Sequence, residues 1–196
     1  MPVDGAWKRL HRYWSLLVKL LVLLGSNRPE SYNARLVDLA VRDLPRGVQV
    51  RRFDLATLPF YDEAADAAGC MGPVVEAFRA EVAAADAIVF ASPAYNGTLS
   101  AMAKNAIDVA SRPRGMAALT DKPVLLLSAV YTPGAETRVL EHARLAFTIA
   151  GARPLGRDFG VNQHFQAFDA TGLVDKERER ELRGLVSQLL VPAAAA

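Results

Sequence analysis

The chemistry-bearing residues of this chain gather behind a tight turn, Gly25-Ser26-Asn27-Arg28-Pro29-Glu30-Ser31-Tyr32-Asn33. Two hydroxyls (Ser26, Ser31), the Asn33 amide and the Arg28 guanidinium are all donors suited to a phosphate. An apolar run precedes the segment and a helical pattern follows it. It is therefore a strand-to-helix loop, which offers unpaired backbone N–H groups and the positive end of a helix dipole. Taken singly, Ser31 reads as an N-cap and Arg28 as a surface charge; together, in this place, they favour an anion. The sequence has no Gly-Lys-Ser/Thr, and the loop lacks the Gly-x-Gly-x-x-Gly pattern, so neither common nucleotide fingerprint applies. A second stretch, Pro93-Ala94-Tyr95-Asn96-Gly97-Thr98, combines a rigid Pro, an amide and a flexible Gly. It can present backbone groups to the edge of a planar heterocycle, with Tyr95 bordering a ring face. Its plainer reading is an ordinary strand-to-helix turn.

The elements that must position these loops alternate between strand and helix. Lys19–Leu24, Val48–Leu55, Ala87–Ser92, Pro123–Ala129 and Ala152–Leu155 read as five strands. Helical patterns run from Tyr32 to Leu44, Pro73 to Ala85, from the end of the Pro93–Thr98 loop to Ser111, from Glu136 to Ala150 and over 174–190. Within the last of these, Asp175 to Glu181 reads as a solvated charged face. Continuous apolar strands between helices predict an α/β fold, a doubly wound five-stranded parallel sheet of order 2-1-3-4-5. In that order the direction of winding reverses between strands one and three, and both loops singled out above leave the sheet there.

Composition bounds the rest. Of 196 residues 52% are hydrophobic, and 23 Lys+Arg face 21 Asp+Glu, which excludes a disordered chain. The small positive excess sits in residues 1–20, with Lys8, Arg9, Arg12 and Lys19 against Asp4; the remainder carries −1. No nucleic-acid partner is expected from such a balance. The single Cys70 excludes an intramolecular disulfide and any Cys-based zinc site, and suits a cytoplasmic protein. Residues 1–17 are expected to be an N-terminal extension, with Trp7, Leu10, Trp14 and Leu17 at helical spacing. A buried first strand is preferred to a signal sequence here, because Lys19 splits the apolar run and no small-x-small site follows. The run is also too short to span a membrane. A start at Val18 would suit the domain equally. Residues 18–191 form the expected domain and 192–196 a frayed tail.

The two loops resemble those of the NADPH-dependent FMN reductases of flavodoxin-like fold. The family's phosphate loop, G-S-x-R-x-x-S-x-N, is met at every fixed position by residues 25–33. Its second signature, P-x-Y-N-G running into an L-K-N-A-[IL]-D-W helix, is met at Pro93, Tyr95, Asn96, Gly97, Lys104, Asn105, Ala106, Ile107 and Asp108. The Leu58-Pro59-Phe60-Tyr61-Asp62 loop is also similar. Ala103, Val109 and Ser100 depart from the usual Leu, Trp and Pro. The third loop, usually Gly-rich, is here Ser128-Ala129-Val130-Tyr131-Thr132-Pro133-Gly134, with Tyr131 near the expected ring edge.

The resemblance implies an FMN-dependent oxidoreductase. Hydride would pass from NADPH or NADH through bound flavin to a small acceptor: a quinone, an azo compound, a metal oxyanion or free flavin. It implies FMN contacts from Ser26, Arg28, Ser31, Tyr32 and Asn33 at the phosphate. Around the ring it implies Pro93, Ala94, Tyr95, Asn96 and Gly97 together with Ser128, Ala129 and Val130. No catalytic acid or base, metal or membrane contact is implied, and a homodimer or homotetramer is the family's habit. His142 reads as a surface or packing residue, and Lys104 with Asp108 as a surface pair. His164 has a lesser reading as a residue reaching a neighbouring subunit's flavin. Two other readings of the same fold are an electron carrier of flavodoxin type and an interaction module that no longer binds flavin.

Overall fold

The computed structural model of the chain describes residues 18–191; the expected extension helix and frayed tail lie outside them. Five parallel strands are ordered β2-β1-β3-β6-β7, where β1 is Val18–Leu24, β2 Val48–Phe53, β3 Ala87–Ala91, β6 Pro123–Ala129 and β7 Arg153–Pro154. The order is the one the sequence predicts. A further strand, β8 (Phe159–Val161), pairs with the far half of β6, at Leu127 to Ala129, while β7 pairs only with Pro123 and Val124. The edge strand is thus split in two. Residues 155–158 bridge the gap, pinned by Arg144, which donates to the Leu155 carbonyl and the Asp158 carboxylate.

Helices cover both faces. One face holds α1 (Tyr32–Val41) and α7 (Lys176–Leu190), whose Leu36, Val37, Leu182 and Leu185 meet Leu20 and Val22 of β1 and Leu125 and Leu127 of β6. The other holds α3 (Pro73–Ala84), α4 (Ala101–Ala110) and α5 (Ala135–Ile149), packed on Leu21, Leu23, Ile88, Phe90 and Leu126. Alternate residues of the central strands feed opposite cores, so these strands have no polar side and read as unbroken apolar runs.

Several expectations need adjustment. α2 (Glu63–Ala67) and α6 (His164–Ala167) are short helices that periodicity does not register. The charged start of α7 is not wholly solvated. Glu179 is buried, bonded by Lys176 and Arg183, and its carboxylate fills the space beside Gly172. Residues 94–99 form a miniature hairpin, β4 (Ala94–Tyr95) with β5 (Thr98–Leu99), rather than a plain turn. Asn96 and Gly97 take φ of 51° and 81°, the left-handed pair that a two-residue hairpin turn demands.

The carboxyl ends of β1 and β3 meet tightly. Gly25 donates to the Ala91 carbonyl at 2.7 Å. A Cβ at Gly25 would lie 2.6 Å from Ala103 Cβ and 3.1 Å from Ser100 Oγ. Glycine is therefore required by the approach of α4, and Ala103, in place of a Leu, is small for the same reason. Gly25→Ala should lower the free energy of unfolding by about 1–3 kcal/mol, the usual cost of overpacking, as read by urea denaturation; an unchanged midpoint would show that α4 yields freely.

Candidate functional site

Ser31 caps α1, its Oγ accepting from Ala34 N–H at 3.3 Å while its carbonyl accepts from Arg35 N–H. Upstream of it the chain is open. Residues 27–30 are exposed, and among the described residues the N–H groups of residues 26–28 and 30–33 have no acceptor. Arg28 has no carboxylate partner among the described residues. This donor set, at a helix start and at the point where the sheet's winding reverses, fits a phosphate group.

Asn33 plays a different part. Its side chain is buried, donates to the Ala129 carbonyl and accepts from the Ala129 N–H, both at 2.9 Å. One amide N–H and the amide oxygen are thus spent within the protein, and they tie α1 to the end of β6. Tyr32, next to the cap, is half-buried and stacks on His164, with ring centroids 4.0 Å apart and planes 19° from parallel.

Buried serines join the three strand ends. Ser128 Oγ donates to the Ser92 carbonyl at 2.7 Å. Ser92 Oγ accepts from the Ser100 N–H at 3.2 Å, and Ser100 Oγ donates to the Gly25 carbonyl at 2.6 Å while capping Ala103. Ser128 is thus turned inward. Val130 N–H donates to the Val161 carbonyl, and its own carbonyl accepts from His164 N–H. The third loop consequently has its Ser128 hydroxyl, both Ala129 backbone groups and both Val130 backbone groups engaged within the protein. What it exposes is Tyr131, tilted against Phe165 at 4.9 Å.

The hairpin supplies the opposite wall. Pro93, Ala94 and Gly97 are half-buried, while Tyr95 and Asn96 are exposed at the tip. His142 Nδ1 lies 2.9 Å from Thr98 Oγ1, so this histidine anchors the hairpin to α5. Asn105 fixes a fourth loop: it donates to the Pro59 carbonyl and accepts from the Tyr61 N–H, both at 2.9 Å. Lys104 and Asp108 form the expected surface pair.

Three predicted clusters, 26–33, 93–97 and 128–130, therefore converge at the carboxyl ends of β1, β3 and β6. Sequence reasoning missed Ser92, Ser100 and Asn105 as positioning groups, although Asn105 lies within the quoted motif. His164, for which the sequence offers only a lesser reading toward a neighbouring subunit's flavin, stacks on Tyr32 of its own chain. Burial pushes His164 below the ordinary histidine value, and the positive charge of Arg28 pushes it the same way. Among the described residues there is no group of three His, Cys, Asp or Glu able to hold a metal ion.

Residues 18–166 match the family described as NADPH-dependent FMN reductase. The chain belongs to that family. It is 34% identical over 166 residues to an NAD(P)H-dependent FMN reductase of Pseudomonas aeruginosa, covering 84% of this chain and 89% of the relative. It is 35% identical over 181 residues to an NADPH:quinone oxidoreductase of Arabidopsis thaliana, covering 88% and 90%. Among solved structures, the flavoenzyme NAD(P)H:(acceptor) oxidoreductase FerB of Paracoccus denitrificans superposes with a TM-score of 0.72 at 25% identity, over 88% of this chain and 94% of that one. Membership in this FMN reductase family makes the chain an FMN-dependent, NAD(P)H-using enzyme, and sets aside the carrier and the flavin-free module. Asn33→Ala should strand two buried backbone groups and lower stability by about 2–4 kcal/mol, measured by chemical denaturation; a loss below about 0.5 kcal/mol would show that the tie to Ala129 is dispensable.

Proposed function

We propose that this FMN reductase reduces a small planar acceptor of the quinone class, holding the FMN phosphate in loop 25–33 and the flavin ring between hairpin 93–98 and loop 128–134. One observation carries the reading: an open run of backbone N–H groups with Arg28 at its centre, at the helix start beside the sheet's reversal point. When bound, FMN supplies acceptance of hydride from NAD(P)H and its delivery to the acceptor.

The protein's work is placement. Ser26, Arg28, Ser31 and the N–H groups of Tyr32 and Asn33 hold the anion. The Asn96–Gly97 turn would offer backbone groups to the ring edge, and Pro93, Ala94 and Tyr95 of the same hairpin would help to hold the ring. Through its bond to Asn33, Ala129 sets the depth of the third loop, and Ser128 and Val130 back it from beneath. Tyr131 and Phe165 present an exposed aromatic pair that narrows the mouth and excludes water from one side. The quinone assignment draws support from the relative acting as an NADPH:quinone oxidoreductase and from that aromatic rim. No side chain has to move a proton for this chemistry.

The same reading takes residues 18–191 as the flavin-binding domain and the cytoplasm as its compartment, consistent with a lone exposed Cys70. Among the described residues no helix is long and apolar enough to cross a membrane. A homodimer or homotetramer is supported by Met116, Leu145 and Ile149, large apolar side chains left exposed.

The purified protein reconstituted with FMN should oxidise NADPH when menadione is added. Arg28→Ala should weaken FMN binding by about 1–3 kcal/mol, roughly 5- to 150-fold in Kd, by fluorescence titration. Unchanged affinity would show that the phosphate is held elsewhere.

A further inference from the structure

We propose that His164 is a member of the phosphate site, its Nε2–H donating to the FMN phosphate beside Arg28; this rests on the phosphate placement given above. His164 begins α6, and its backbone is fixed by the bond to Val130. Its ring lies against Tyr32, the first residue of the helix whose open end forms the anion site. Nδ1 is sealed from solvent and has no partner among the described residues, whereas Nε2 is not sealed. Burying an N–H without an acceptor costs more than burying a lone pair, so the proton of the neutral ring resides on Nε2. Nε2 is thus a donor, on a ring that stacks against the first residue of α1 and feels the Arg28 charge.

The His164 ring sits among positive charge and other aromatic rings. Loop 25–33 contributes the Arg28 charge, and α1 contributes Tyr32 together with Arg35, whose guanidinium lies 5.2 Å from the Tyr32 ring and 4.9 Å from that of Phe168. The loop after β6 contributes Tyr131, whose ring is 6.1 Å away, and α6 itself contributes Phe165. Of the flanking carboxylates, Glu136 accepts from Asn162 through Oε1 while its buried Oε2 has no partner, Asp169 accepts from Thr171 and Gly172, and Glu30 of loop 25–33 has no cationic partner among the described residues. A doubly charged phosphate would complement the Arg28 charge and the open N–H groups of this corner. Its arrival would also reverse the effect of Arg28 on the imidazole. A histidine whose protonation is disfavoured in the free protein would then take up a proton more readily, and by linkage the protonated form would bind FMN more tightly.

The test is an NMR titration of the histidine rings, assigned with His164→Phe, in the free protein and in protein saturated with FMN. His164 should titrate about one pH unit or more higher in the complex, and riboflavin, which lacks the phosphate, should leave it in place. His164→Phe keeps a ring on Tyr32 and should raise the Kd for FMN about tenfold with the riboflavin Kd within about twofold; His164→Gln, which retains an N–H donor, should recover part of the loss. An unshifted His164 titration in the FMN complex overturns the inference, as does an unchanged ratio of FMN to riboflavin affinity in a folded His164→Phe. If FMN binds while His164 is unmoved, this inference alone fails; if FMN does not bind wild-type protein, the placement beneath it fails as well. Should His164→Phe not fold, the wild-type titration decides, with His164 identified by elimination from His11→Asn and His142→Asn.

Discussion

The Asn33 side chain, buried between α1 and the end of β6, donates to the Ala129 carbonyl and accepts from the Ala129 N–H, and the relative position of the first and third loops rests on that pair. Neither loop can shift along the sheet without breaking both bonds in a dry environment, where an unpaired backbone group costs about 1–3 kcal/mol. Loops 25–33 and 128–134 are therefore held at a fixed separation before any ligand arrives. Preorganisation of this kind matters to a cofactor enzyme, because the protein contributes position and field while the cofactor carries the electrons.

Around that pair, the strand ends are joined by hydroxyls rather than by apolar packing. Ser128, Ser92 and Ser100 pass hydrogen bonds from β6 to the end of β3 and on to Gly25, just after β1. Each hydroxyl satisfies a backbone group that the departing chain leaves exposed where the strand pairing stops. Gly25 makes this possible, since any side chain there would strike Ala103. Asn105 repeats the logic on the other face, fastening the loop at Pro59 and Tyr61 to α4. The outer parts, residues 27–30, the Asn96–Gly97 turn and Tyr131, are left free to meet a ligand.

Much of this architecture was legible in the sequence because the central strands are buried on both faces and the loops carry spaced motifs. The edge strand was only partly legible. Arg153-Pro154 and Phe159-Gly160-Val161 are each too short to show a period, and the intervening Gly156-Arg157-Asp158 masks their common partner β6. Glu179 was misread as solvated because a run of alternating charges looks the same whether or not one carboxylate folds under a glycine. The loop residues themselves were found, but not how each would be used. Asn33 and Ser128 are donors by type, and only the fold shows that their side chains bond Ala129 and the Ser92 carbonyl. His164 was weighed as a surface-reaching group, since nothing in one dimension sets it against Tyr32, 132 positions earlier in the chain.

The central claim is that loop 25–33 is where the FMN phosphate is held. A crystal structure of the protein with FMN tests it most directly. The account predicts the phosphate within hydrogen-bonding distance of the Arg28 guanidinium and of several N–H groups of residues 26–33, with Asn33 still bonded to Ala129. A phosphate bound away from this loop, or an Asn33 side chain turned from Ala129 to the phosphate, would contradict it.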